Sequence, residues 1–243
     1  MKVKNILIRY AIATVGLFFV ALGVALSIKS NLGIAPISAP PYVMELWGGF
    51  TIRGHAITIG EYTIMMHLLF IILQIVLLRK DFKLEHLMQI VAAFVFGYLT
   101  DLAIYIFEPV EVVSFGGKIG FMLASCLITA LGISIEVRSK AWMLAAEMTT
   151  AAIAKVSKAK FSNVKIIFDS SLVVIAAIMS YIFFGNALGS SSNSDIMANL
   201  MAEAPGVVIG IGTLVSAVGT GLLMKLTDPI TEKCIGKTID NTF

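Results

Sequence analysis

Long runs of apolar residues alternate with short polar stretches along almost the whole chain. An α-helix rises about 1.5 Å per residue, so about 20 apolar residues are needed to cross a hydrocarbon core of roughly 30 Å. Six stretches are predicted to be such transmembrane helices: Ile8–Ile28, Tyr62–Leu78, Leu87–Phe107, Ile119–Ile135, Ile166–Phe184 and Gly206–Met224. The pattern therefore predicts an all-α polytopic membrane protein with six spans.

Two connecting stretches are as apolar as the spans but are too short or too interrupted to cross. Asn31–Gly49 is broken by Gly33 and by three prolines, and Ala141–Val156 is rich in small residues. Such segments are tolerated at membrane depth only where protein or a watery cavity satisfies their backbone groups. We therefore expect two re-entrant segments. A third connection, Gly185–Pro205, contains apolar residues at the spacing of a short surface helix. A plain loop is the favoured interpretation of this connection, and a lid is the alternative.

Composition and charge agree with a membrane environment. Hydrophobic residues make up 58% and charged residues only 14% of the 243 residues, against about 45–50% and about 25% in soluble domains. These values exclude a disordered chain, a disulfide scaffold and a nucleic-acid-binding protein. Fifteen of the 18 lysine and arginine residues fall on one side of the predicted topology, so both termini are expected in the cytoplasm.

The two halves of the chain resemble each other, since ALGVALSIKSNLGIAP aligns with ALGISIEVRSKAWMLA. The alignment places three pairs of polar or charged residues opposite each other: Lys29 and Arg138, Ser30 and Ser139, and Ser38 and Glu147. Each copy holds three spans, so two repeats, at about 8–107 and 119–226, would be inverted relative to each other. Chance similarity of small apolar residues is the alternative explanation. On the first interpretation, 1–243 is a single membrane domain and 227–243 is a cytoplasmic tail.

Ionisable side chains within the apolar segments are the first candidates for function, because a charge in the bilayer costs at least about 2.5–3.5 kcal/mol. Glu147 ranks first, since no near neighbour in sequence neutralises it, and Asp101 ranks second because it lies deep within the third span. Asp169 and Glu61 are further candidates. A surface ion pair between Lys165 and Asp169, and a helix cap at Glu61, are the simpler explanations for those two residues.

Polar residues at the ends of the interrupted segments complete the candidate site. Lys29 and Arg138 either line a cavity for an anionic group or extend to the membrane surface. Asn31 and Ser38 offer polar groups beside backbone freed from helix, and Glu136 is expected to pair locally with Arg138. The sequence contains no P-loop, HExxH or GxSxG motif and no metal-ligand cluster, so no cofactor, metal or enzyme activity is expected.

Four stretches carry a family resemblance: LGVALSIKSNLGIAPISAPPYVMEL, LLFIILQIVLLRKDF, FVFGYLTDL and SNVKIIFDSSLV. Their order resembles the YczE/YyaS/YitT-like family of bacterial integral membrane proteins, in particular its YczE-type branch. Glu147 is present, but the Pro-Gly-Glu-Gly turn typical of that family is replaced by Ala145-Ala146-Glu147-Met148. The resemblance implies a multi-pass protein of the bacterial inner membrane with a transport role and specifies no substrate.

Together these features favour a secondary transporter that moves a small polar or charged metabolite by alternating access, with buried carboxylates for proton coupling. Two alternatives stay open: a non-transporting subunit or regulator that docks a partner protein, and a channel. His67, in the middle of the second span, is expected to have a hydrogen-bonded packing role rather than to relay protons. The expected partners are the lipid bilayer and a small-molecule substrate, with a homodimer as an open alternative.

Overall fold

The computed structural model describes residues 3–52, 54–82, 84–139, 141–189 and 207–236. Eight α-helices lie within this part of the chain: α1 Val3–Ser30, α2 Ala39–Trp47, α3 Ile59–Leu78, α4 Met88–Phe107, α5 Phe115–Ser139, α6 Ala145–Ser157, α7 Phe161–Phe184 and α8 Ile211–Thr231. A small antiparallel hairpin, β1 Thr51–Ile52 and β2 His55–Ala56, precedes α3. The predicted surface helix before Pro205 falls outside the described residues.

Five helical segments are long and apolar enough to cross a membrane, the second of which includes the turn that follows α3: Leu7–Ser30, Ile59–Asp81, Met88–Phe107, Phe115–Ser139 and Asn163–Phe184. The chain is therefore a polytopic helical membrane protein, as its hydrophobic pattern predicts. The sixth predicted span corresponds to α8, which has 21 residues but is not among the five. Lys225, Asp228 and Pro229 lie in the last two turns of α8 and shorten its apolar stretch.

The two longest of these helices, α1 and α5, cross at the centre of the bundle in opposite directions. Gly16 of α1 faces Gly132 of α5, and Ser125 Oγ donates a hydrogen bond to Gly23 O over 2.7 Å. A Cβ atom added at Gly16 would lie 2.9 Å from backbone atoms of α5, so a larger residue would push the two helices apart. We call the end of the bundle where α1 finishes the first end, and the end where α5 finishes the second end.

The other helices surround this central pair in matching sets. The α4 helix packs against α1, and α8 packs against α5. Likewise α2 packs against α7, and α6 packs against α3. Each short helix therefore contacts a long helix from the other half of the chain.

The short helices α2 and α6 begin inside the bundle and finish at opposite ends of it. Their first residues are buried, and Ile37, just before α2, belongs to the same apolar cluster as Ala145 and Ala146 at the start of α6. At the first end, the ring of Trp47 in α2 stacks on Phe183 with a centroid distance of 4.5 Å. The interrupted segments that the sequence indicates are thus two half-length helices whose N-termini meet near the centre.

Hydrogen bonds close the end of α1 and hold the chain that follows it. Ser30 Oγ donates to Ser27 O over 2.7 Å, and Leu32 N donates to Ser30 Oγ over 3.3 Å. Ala35 N donates to Ser27 Oγ over 3.2 Å. This network fixes the reversal that leads into α2.

The end of α5 repeats this network at the aligned positions. Ser139 Oγ donates to Glu136 O over 2.7 Å, and Ala141 N donates to Ser139 Oγ over 3.2 Å. Leu144 N donates to Glu136 Oε1. The carboxyl group of Glu136 therefore accepts the hydrogen bond that corresponds to the one accepted by the Ser27 hydroxyl after α1. The pairing of Ser30 with Ser139 in the sequence alignment therefore has a counterpart in the hydrogen bonds.

Candidate functional site

Three charged side chains form a buried ionic triad where α6 meets α7. Glu147 lies in the first turn of α6, and its Oε1 atom is 3.3 Å from Lys165 Nζ. The same Nζ atom is 2.9 Å from Oδ1 of Asp169, one helical turn further along α7. No side chain of the triad is more than 5% exposed. Because two carboxyl groups share one ammonium group, the triad has an excess of negative charge when all three residues are ionised.

His67 and Glu136 bring two further elements to the triad. His67 lies midway along α3, and Glu136 lies near the end of α5; both are fully buried. Each is close enough to Glu147 and Lys165 to interact with them electrostatically. The five residues, which we call the central cluster, come from α3, α5, α6 and α7.

The hydrogen bond of His67 determines which of its ring nitrogens is free. Nδ1 lies 2.8 Å from Thr63 O, a group that can only accept, so Nδ1 carries the proton in the neutral ring. The other nitrogen, Nε2, then presents a lone pair and has no hydrogen-bond partner in the described part of the chain. The hydrogen bond to Thr63 and the ring contacts with Phe70 and Phe96 agree with the expected packing role of His67.

Other buried polar atoms in this region also have no hydrogen-bond partner among the described residues. They are Oε2 of Glu136, Oε2 of Glu147, Oγ1 of Thr63 and Oγ of Ser38. Roughly 90% or more of buried polar groups in folded proteins are satisfied, so a concentration of unsatisfied ones needs an explanation. A buried water molecule, a bound ligand or a proton on a carboxyl group would satisfy these atoms.

A satisfied amide pair holds the start of α6 beside the central cluster. Gln74 Nε2 donates to Gln89 Oε1 over 2.9 Å, and Gln89 Nε2 donates back to Gln74 Oε1 over 3.0 Å. Gln74 Nε2 also donates to Ala145 O and to Thr149 Oγ1, both over 3.0 Å. All of these groups are buried, so α3 and α4 fix the position from which Glu147 extends.

Two of the predicted site residues, Glu147 and Asp169, lie together in the structure, because both contact Lys165. The expectation that Glu147 lacks a neutralising neighbour does not hold, because Lys165 of α7 faces it from 18 residues away. The pair between Lys165 and Asp169 exists at the predicted spacing, but it is buried rather than on a helix surface. Lys165 is thus a member of the candidate site that its sequence context does not single out.

Asp101 and Glu61 lie at the first end of the bundle and cap α3. Asp101 Oδ1 accepts from Gly60 N over 2.9 Å, and its Oδ2 accepts from Thr58 Oγ1 over 2.8 Å. Glu61 forms a capping box with Thr58, which is the simpler role that its position suggests. Asp101 therefore has a structural explanation that its sequence context did not reveal.

Glu45 near the end of α2 is a further acidic residue at this end of the bundle. Its side chain is half-buried and lies outside the five apolar spans. Burial raises the pKa of Glu45 to about 7, and the nearby carboxylate of Asp101 adds to the increase. This carboxyl group therefore changes its protonation within the physiological pH range.

The predicted basic residues are engaged at opposite ends of the bundle. At the first end, Lys29 Nζ donates to Glu108 O over 2.8 Å. At the second end, Arg138 Nη2 is 3.2 Å from Glu232 Oε2, so the expected pair with Glu136 is not formed. Glu136 instead accepts the hydrogen bond at the start of α6.

The two polar candidates differ in their location. Asn31 has a left-handed backbone with φ of 50° and forms the turn after α1. Ser38 is 1% exposed and precedes α2, next to Ile37, which packs against the start of α6. Ser38 therefore belongs to the centre of the bundle, whereas Asn31 lies at its first end.

An apolar groove of about 530 Å³ lies between α2, α3 and α7. Its walls are almost entirely apolar and include four methionines: Met44, Met65, Met66 and Met179. Phe70 and Leu172 also line this groove. The ring of Phe70 is 5.4 Å from that of Phe168 and 6.0 Å from that of His67. The groove therefore reaches the aromatic side chains that adjoin the central cluster.

A bundle of apolar, membrane-crossing helices around a buried ionic cluster defines the class of this chain as a polytopic helical membrane protein. The chain belongs to DUF6198, a family of unknown function, whose model matches residues 7–229. No curated protein matches the chain, and no solved structure matches it. The resemblance to the YczE/YyaS/YitT-like family is independent of this match and stays a prediction.

Proposed function

We propose that this protein is a secondary transporter. It would bind a small polar or charged metabolite at the central cluster and carry it across the membrane by alternating access. The observation that carries the proposal is the buried triad of Glu147, Lys165 and Asp169, which lies near buried polar atoms that have no hydrogen-bond partner in the described part of the chain. Ionisable residues within membrane segments are costly and are retained mainly along substrate and ion pathways. Their position at the meeting point of two short helices agrees with the binding sites of secondary transporters.

Inverted repeats at about 8–107 and 119–226 are part of the proposal, with α8 as the sixth span and with α2 and α6 as half-membrane helices. The antiparallel crossing of α1 and α5 supports this arrangement, as do the matching packing partners of the other helices. The repeated hydrogen bonds of Ser30 and Ser139 support it further. Two equivalent halves of opposite orientation give the inward-open and outward-open states similar energies.

Contacts at the two ends of the bundle are suited to act as gates. At the second end, Lys155 Nζ of α6 is 2.7 Å from Asp81 Oδ2, just after α3. At the first end, Trp47 of α2 stacks on Phe183 of α7. Each contact joins a short helix to a long helix of the other repeat, so release of one contact would open one side only.

Proton coupling follows from the charges of the central cluster. The carboxyl groups of Glu147 and Asp169 lie beside the ammonium group of Lys165, and that of Glu136 is within its electrostatic influence. A proton on one carboxyl group would reduce the imbalance, and its release on substrate binding would link the two fluxes. The charge asymmetry of the loops supports cytoplasmic termini, and the family resemblance supports the bacterial inner membrane.

Transport is tested with purified protein in proteoliposomes that contain a pH-sensitive dye and receive a panel of small polar and charged metabolites. We expect a saturable proton flux that depends on one class of metabolite and is abolished by Glu147→Gln. The matched control Glu111→Gln changes an exposed loop glutamate and should keep the flux. Non-saturating current would support a channel instead. Absence of flux together with a stably co-purified partner protein would support a docking subunit.

A further inference from the structure

We propose that the central cluster binds a protonated organic amine whose apolar chain occupies the groove between α2, α3 and α7. The inference rests on the proposed function for the location of the site. It adds the chemical class of the ligand: a positively charged hydrogen-bond donor attached to an apolar chain.

The polar atoms of the central cluster that have no hydrogen-bond partner among the described residues are acceptors. Oε2 of Glu136 and Oε2 of Glu147 are carboxyl oxygens, and His67 Nε2 presents a lone pair. An ammonium group offers up to three N–H donors and a positive charge, which matches both the acceptors and the charge deficit. An anionic ligand would meet two carboxylates, those of Glu147 and Asp169, that already share the ammonium group of Lys165.

A metal cation fits the site less well than an ammonium group. Among the described residues, no group of three or more His, Cys, Asp or Glu side chains is arranged to hold a metal ion. Metal coordination needs several ligands at about 2.0–2.6 Å around one point. Hydrogen bonds from an ammonium group to oxygen are longer, about 2.7–2.9 Å, so the acceptors around an ammonium group lie further apart than the ligands of a metal ion.

The apolar groove provides a place for the remainder of such a molecule. Its lining residue Phe70 has its ring 6.0 Å from the ring of His67, and Phe168, which adjoins Asp169 in sequence, is 5.4 Å from Phe70. The side chains of Met65 and Leu69, which also line the groove, belong to residues that are 53% and 65% exposed. The groove therefore opens towards the surrounding lipid at one side and approaches the central cluster at the other.

The test uses the protein reconstituted in phosphatidylcholine nanodiscs, and protein-free nanodiscs give the background binding. The probes are hexylamine, hexanol, hexanoate and methylamine, and the measurement is equilibrium binding at neutral pH. We expect hexylamine to bind at least tenfold more tightly than hexanol or hexanoate, because only hexylamine carries the positive charge. We also expect it to bind at least tenfold more tightly than methylamine, because burial of methylene groups contributes to affinity. These comparisons use the wild-type protein and need no variant to fold.

Two pairs of variants locate the two parts of the ligand. Glu147→Gln should weaken hexylamine binding at least tenfold, whereas Glu111→Gln should leave it unchanged. Leu69→Trp fills the groove and should weaken binding of hexylamine but not of methylamine. Its control, Leu127→Trp, is a similarly lipid-exposed position on α5 and should change neither affinity.

The outcomes separate this inference from the proposed function. Equal affinity for hexylamine, hexanol and hexanoate would overturn the amine site, and so would tighter binding of hexanoate. Equal affinity for hexylamine and methylamine, with no effect of Leu69→Trp, would overturn the role of the groove. Flux of another class of metabolite without amine binding would overturn the inference and leave transport standing. Binding of hexylamine without any flux would support the amine site and contradict the transporter.

Discussion

Replacement of Lys165 by methionine removes the ammonium group from the ionic triad and keeps a side chain of similar length. The carboxylates of Glu147 and Asp169 would then lie in the interior without a counterion, since every side chain of the triad is at most 5% exposed. Removal of one partner from a buried ion pair costs about 3–5 kcal/mol, because the remaining charge is left uncompensated. We expect Lys165→Met to lower the free energy of unfolding by about that amount.

The pair between Lys155 and Asp81 supplies a matched control in the same protein. Its N–O distance of 2.7 Å is shorter than both distances in the triad, but its side chains are 63% and 62% exposed. Water already solvates these charges, so Lys155→Met should leave the free energy of unfolding almost unchanged. Burial rather than distance therefore determines the expected order of the two variants.

A third variant tests whether the loss comes from uncompensated charge. Neutralisation of both carboxyl groups in the Lys165→Met background, by Glu147→Gln and Asp169→Asn, should recover more than half of the lost stability. The assay is reversible unfolding in mixed micelles with increasing denaturing detergent, followed by tryptophan fluorescence. Equal losses for Lys165→Met and Lys155→Met, or no recovery in the triple variant, would refute the reasoning.

Three other predictions concern helix packing, a buried amide pair and pH. Gly132→Ala should destabilise the protein by about 1–3 kcal/mol, since the added Cβ would lie 2.8 Å from the backbone of α1. The control Gly120→Ala places a Cβ with nothing within 4 Å and should leave the stability unchanged. The same unfolding assay measures both variants. Gln74→Leu should cost about 1–3 kcal/mol by leaving the amide of Gln89 unsatisfied, and the double change of both residues to leucine should cost less. Because the pKa of Glu45 rises from 4.5 to about 7, the folded state binds more protons than the unfolded state between these values, so stability should fall as pH rises from 5 to 8. Partial exposure limits this change to about 1–2 kcal/mol, and Glu45→Gln should remove it in melting curves recorded at the two pH values.

Hydrophobic length is a reliable guide to most of this fold, because lipid requires every crossing segment to be helical and apolar over its whole length. The same reasoning identified the two half-length helices, since a stretch such as Asn31–Gly49 is too apolar for water and too interrupted to cross. It was less informative for α8, in which Lys225, Asp228 and many small polar residues weaken the apolar signal.

The candidate site was only partly predictable, because its contacts depend on how the chain reverses. Glu147 and Asp169 could be selected because each is a carboxyl group within an apolar stretch. The approach of Lys165 to Glu147 depends on the angle between α6 and α7, which no local pattern specifies. Likewise, Asp101 caps a helix that begins 42 residues earlier, and the hydrogen bond of Glu136 forms only after the chain turns into α6.

Access to the centre of the bundle from each side of the membrane is the most direct test of the proposed mechanism. Ser38→Cys would be introduced into a chain whose two native cysteines, Cys126 and Cys234, are replaced by serine. Ser38 is only 1% exposed, so a membrane-impermeant thiol reagent can reach it only when one side of the bundle opens. Alternating access predicts labelling in both right-side-out and inside-out vesicles, whereas labelling from one side alone, or from neither, would contradict it.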